Sequence, residues 1–178
     1  GSTLIPEMAR LLDIRVGVAP TIDPRSLAVA MTTTPELISG VTQELKGRVA
    51  TELRRAALAQ TPPHELMKRL GTIAGKGPWS SAFARGEAIY RTEAGRMFNT
   101  ANYQRMGQLA EVDPEWQKEW VSSEDARVRP MHVLANGQKV PVDATFTVGD
   151  EVALYPHDPR LSAKNSVHCR CLSVPWNP

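Results

Sequence analysis

The chain has 178 residues, 42% of them apolar and 22% charged, with a formal net charge of +2. That is ordinary globular usage, enough for one real core or for one core with a small satellite module. No apolar run approaches the roughly 20 residues that a bilayer span requires, and the N-terminus lacks the basic, apolar, small-residue order of a signal peptide, so a soluble chain with no membrane partner is expected. Residues 63–110 hold 7 Lys/Arg against 3 Asp/Glu, whereas residues 111–178 hold 7 against 10. The middle is mildly basic but lacks the dense charge of a committed nucleic-acid binder. Gly1-Ser2 reads as the scar of a removed tag, which implies a longer natural chain.

In chain order, Met8–Ile14 predicts a short helix. Pro20, Pro24 and Pro35 with the MTTT run then predict an extended arm, so residues 1–35 form an N-terminal arm. From Pro35 the register changes: Leu37, Val41, Leu45, Val49 and Leu53 recur every fourth residue, an amphipathic helix of about seven turns ending near Gln60. Thr61 is placed to cap a shorter helix that has Pro63 at an early position and Glu65 in its first turn. After Gly71, Gly75, Gly77 and Pro78 a long helix is predicted from about Ser80 to Leu109. Phe83, Tyr90, Ala94, Met97 and Ala101 read as its buried stripe, and Glu87 and Arg91 as an i,i+4 pair. Residues 36–112 are thus a helical region.

Beyond Pro114 the helical period stops. Short runs bounded by turn residues (EWQKEWVSS, ANGQKVPV, DATFTV, DEVALYP, HCRCLSVPW) predict a small, loop-rich antiparallel module over residues 113–178. Asn136-Gly137 reads as a type I′ hairpin turn. The fold class is α+β: two long helices and a short one packed against the β module, which is too small to hold itself together easily.

Both cysteines, Cys169 and Cys171, fall in that last run. A disulfide between them would close a strained ring. If residues 168–173 are a strand, both thiols share one face and His168 takes the other. Two thiolates on one face are half of a tetrahedral zinc site, and the ligands to complete it are His132 and Asp125, with His157 or His168 as a substitute. The plainer alternative is a reduced, half-buried pair that only packs. The second unusual segment, SEDARVRPMH, places Asp125, Arg127, Arg129 and His132 within eight positions, with Pro130 expected to break any helix there. One reading is an anion or phosphate site with His132 as acid–base group; the other is that Asp125 and the arginines pair with neighbours and shape the module.

RTEAGRMFNTAN at 91–102, WVSSEDARVRPMHVLANGQKVPVDATF at 120–146, YPHDP and the terminal HCRCLSV together resemble the phage Mu F-type family of minor head, or head morphogenesis, proteins. The resemblance covers roughly residues 50–175. His168 stands where the family commonly has Asn, and His157 stands in a loop that is commonly Gly; both add metal-ligating groups near the thiols. The resemblance implies a minor component of a tailed-phage or prophage head, made in the host cytoplasm and built into the virion. Its implied partners are the portal protein, capsid or scaffold protein, and packaged double-stranded DNA. The alternative is a nuclease or toxin-like enzyme acting on nucleic acid or nucleotide, with His132, Arg127, Arg129 and Asp125 as its catalytic set. No glycine-rich phosphate loop or serine nucleophile elbow is present.

Overall fold

A computed structural model describes residues 42–59 and 61–178. The arm of residues 1–35, with its short helix at Met8–Ile14, lies outside the described residues, as do Leu37 and Val41. The fold is α+β, with helices in the N-terminal half and small antiparallel sheets at the C-terminus. Three helices come first: α1 (Gln43–Ala59), α2 (Pro63–Ala74) and α3 (Ala82–Val112). They are followed by β1 (Gln117–Val121), α4 (Pro130–Ala135), β2 (Lys139–Pro141), β3 (Phe146–Val148), β4 (Glu151–Ala153), α5 (Ala163–Ser166) and β5 (Leu172–Trp176).

Helix α1, the described part of the expected long helix, has 17 residues, roughly five turns, while residues 36–41 and Gln60 of that expectation lie outside the described residues. Thr42 lies just before it, and its hydroxyl accepts the Leu45 amide at 3.3 Å as an N-cap. Thr61 does not cap α2; Pro62 takes the cap position with no side-chain bond, and Pro63 supplies a pre-set first turn. Ser81 does cap α3, its hydroxyl accepting the Ala84 amide at 3.0 Å. Val49, Leu53, Leu66, Leu70 and Ile89 form the core between α1, α2 and α3.

The stripe expected to bury α3 is displaced. Phe83 is exposed and Tyr90, Ala94, Met97 and Ala101 are only half-buried, while Thr92, Glu93, Arg96, Asn99 and Thr100 are buried. Part of this polar face meets backbone, and Glu93 and Arg96 pair with each other at 3.6 Å. Asn99 donates to the Cys171 carbonyl at 3.3 Å and accepts the Ser173 amide at 3.1 Å, and Asn102 donates to the Ser173 carbonyl. Edge groups of β5 that would otherwise be buried unpaired are thereby satisfied by the helix.

The module contains two sheets: β2-β1-β5, antiparallel throughout, and the β3-β4 pair. Its core is Trp120, Phe146, Val148, Ala153 and Leu161, with both cysteines included. Asn136-Gly137 is not a type I′ hairpin. Asn136 has φ −58° and ψ 132° and only Gly137 has positive φ, at 77°, which is the type II pattern, and the turn joins α4 to β2. Pro130 likewise opens a helix rather than breaking one, since the first turn needs no N–H from it.

Lys118 is fully buried in this module, its Nζ donating to the Val142 carbonyl at 2.6 Å and standing 4.7 Å above the Tyr103 ring. Burial pulls its pKa down from 10.5 to about 8. The unfolded chain therefore binds more protons than the folded one between those values, so the lysine's cost to stability is full below about pH 8 and is relieved above it. The difference in melting temperature between Lys118→Met and the parent should move steadily in the parent's favour from pH 7 to pH 10. A difference independent of pH would contradict the depressed pKa.

Candidate metal centre

His132 sits in α4 between Arg129, whose carbonyl accepts its amide at 2.9 Å, and Ala135 in the module core. The helix turns the imidazole inward, where it is 1% exposed and meets Trp120 edge-on at 5.7 Å between centroids. Its Nδ1 lies 3.3 Å from the Cys171 sulfur and 3.5 Å from the Cys169 sulfur. These three ligand atoms lie within 4.8 Å of one another, and all three residues are buried, so the cluster is compact enough to hold a metal ion. A cavity of about 10 Å³, room for roughly one atom-sized sphere, opens among Val128, Arg129, His132, Cys169 and Cys171.

The thiols are not brought together by strand alternation, because β5 begins only at Leu172. His168 instead takes a left-handed backbone with φ 56°, and the chain folds so that the Cys171 amide lies 3.4 Å from the Cys169 sulfur. Both cysteines are free. They act as one acid: the Cys171 thiol donates to Cys169 and holds its pKa well below the thiol range, with His132 and His157 helping, while Cys171 is pushed up by keeping the proton.

His157 is the other buried histidine, 1% exposed with φ 66°. Its loop is set by Asp158, which accepts the Leu154 amide at 2.7 Å and the Arg160 amide at 2.9 Å. Its Nδ1 completes no hydrogen bond, although the ring interacts with Cys169. Gly95 of α3 leaves the space, since a Cβ there would stand 2.5 Å from His157 Nε2.

The other sequence candidates go elsewhere. Asp125 is not part of the cluster; it forms a two-pronged pair with Arg170 at 2.5 and 2.6 Å and a longer contact with Arg127 at 3.5 Å. That pair holds its carboxyl far below the usual carboxylate range, with the Arg127 amide adding to the effect. Arg170, the residue between the cysteines, joins it to the centre. Arg129 donates to the Val167 carbonyl at 2.5 Å. His168 lies outside the cluster, its amide on Thr92 Oγ1 at 3.2 Å and its ring edge-on to Trp79 at 5.7 Å. Sequence reading missed Asn99, Gly95 and Trp120, whose indole lowers the Cys171 pKa. The 92, 96, 99 spacing of polar residues on α3 was the available sign of the first.

A family model described as phage Mu protein F like protein matches residues 36–174. A curated relative, NAD(+)–arginine ADP-ribosyltransferase EFV of Enterococcus faecalis, is 28% identical over 96 residues, 53% of this chain. Those residues are 19% of the relative, so the chain spans about a fifth of the curated protein it matches. No solved structure matches.

Proposed function

The chain belongs to the phage Mu protein F-like family, and from that premise we propose that it is a minor head component of a tailed phage or prophage, acting in head morphogenesis beside the portal. The match over residues 36–174 is the observation that carries this reading. The fold is compatible with it: a helical half and a small β module are joined through a polar helix face.

The same reading assigns the module a structural zinc ion, held by Cys169, Cys171 and His132, with His157 as the fourth ligand. Supporting this are the compact buried cluster, the atom-sized cavity, and a second buried histidine whose Nδ1 has no partner. A ligand set of two thiolates and two imidazoles, closed to solvent, is the pattern of a structural site rather than a catalytic one. His132 is poorly placed as a general acid or base, being buried with Nδ1 turned to the sulfurs.

Co-expression with the cognate portal protein tests the assembly role. The two should co-purify and stay together as salt is raised to physiological strength. Separation at every salt concentration would count against portal association.

A further inference from the structure

Directly outside the buried centre, four guanidiniums gather in one concavity. Arg91 comes from α3, Arg127 and Arg129 from the segment before α4, and Arg170 from between the cysteines; with Glu87 and His168 they line an open cleft of about 490 Å³. The acids nearby do not balance them. Glu87 pairs with Arg91 at 2.9 Å, and Asp125 pairs with Arg170 and, at 3.5 Å, with Arg127, so two carboxylates against four guanidiniums leave an excess of two positive charges at the cleft. The formal charge of the whole chain is also +2, so the remainder is neutral in sum.

We propose that this cleft binds a compact anion bearing two linked phosphates, free or carried on a nucleotide. One guanidinium fork takes up both oxygens of a carboxylate, as Arg170 does for Asp125, which Arg127 meets only at 3.5 Å. Several forks converging on one concavity instead suit groups with more oxygens, and phosphate is the usual one. The cleft is too large for one phosphate ion and falls within the range of small-ligand sites, about 300–1,000 Å³. Its walls focus the field of like charges inward. The wall at His168 is built rather than loose: its backbone is left-handed, its amide is bound to Thr92 and its ring is held by Trp79. Packaged duplex DNA would ask for something different, a row of cations along an extended face with acids few elsewhere.

The test is calorimetric titration of the full chain at low ionic strength with pyrophosphate, with ADP and with a short DNA duplex. Zinc content is measured before and after each titration. Pyrophosphate should bind once per chain, and Arg127→Ala and Arg91→Ala should each weaken it roughly tenfold or more. The Arg127 side chain is 81% exposed, so its removal leaves the fold alone, which circular dichroism verifies. Lys139→Ala, a cation outside the cleft that covers the Trp176 ring, should change nothing. ADP binding as tightly as pyrophosphate would show that the phosphates alone are read, and tighter binding would show a nucleotide source. No saturable binding at millimolar pyrophosphate would overturn the proposal. So would equal weakening by Lys139→Ala, or duplex binding through these arginines that pyrophosphate does not displace.

Discussion

Cys171→Ser is expected to leave the purified protein without zinc and to lower the melting temperature of the chain by roughly 10–20 °C. The size of the effect follows from the role proposed for the metal. A structural zinc binds folded ligands and not the unfolded chain, so its binding free energy becomes folding free energy, and losing a thiolate ligand forfeits on the order of 5 kcal/mol. Packing contributes little to that figure, because Ser is close to Cys in size and the site is only one part of a core centred on Trp120 and Phe146. A chelator added to the parent protein should reproduce the shift and should have no further effect on the variant. His132→Ala should behave in the same way. If the variant melts within a degree or two of the parent and chelator changes neither, the two thiols only pack.

The second large effect lies in the helical half. Gly86 of α3 faces Gly71 of α2 so closely that a methyl at position 86 would stand 2.0 Å from the Met67 carbonyl oxygen and 2.5 Å from the Gly71 amide nitrogen. Position 71 is closed in the same way, 2.3 Å from the Ala82 carbonyl oxygen. These are backbone atoms, which cannot rotate aside as a side chain can. Gly86→Ala must therefore push the helices apart and open the contact among Leu66, Leu70 and Ile89. A loss of about 3 kcal/mol or more is expected, roughly 6–12 °C in melting temperature, with zinc content unchanged. Gly47→Ala is the control: nothing lies within 4 Å of its added methyl, so the gain in helix propensity should leave stability equal or up to about 1 kcal/mol higher. Equal melting of the two variants would contradict the close approach of α2 and α3.

These two variants separate what the sequence makes legible from what it hides. The helices were readable because apolar residues recur at helical spacing, and the change to short strands after Pro114 because that period stops. The buried face of α3 was not readable from hydrophobicity. It is buried against the backbone of β5, so Asn99 and Asn102 occupy positions where a packing argument looks for Met or Phe. The contact of His132 with Cys169 and Cys171 was legible from the residue types alone. The geometry behind it was not, because a strand was the natural expectation for HCRCLSV, and the left-handed His168 that ends that expectation is not a glycine. Asp125 was misplaced for a different reason. A carboxylate near thiols reads as a ligand, but Arg170, 45 positions away, offers it a two-pronged partner, and sequence spacing does not reveal such pairings. His157 resembles His168 in having positive φ, yet one turns into the core and the other into the arginine cleft.

The most direct test of the zinc-tied module is X-ray absorption at the zinc edge on protein purified without added metal. One zinc per chain should be found, with two sulfur neighbours at about 2.3 Å and two nitrogen neighbours at about 2.0 Å. Protein free of zinc, or zinc surrounded by oxygen and nitrogen without sulfur, would contradict the account.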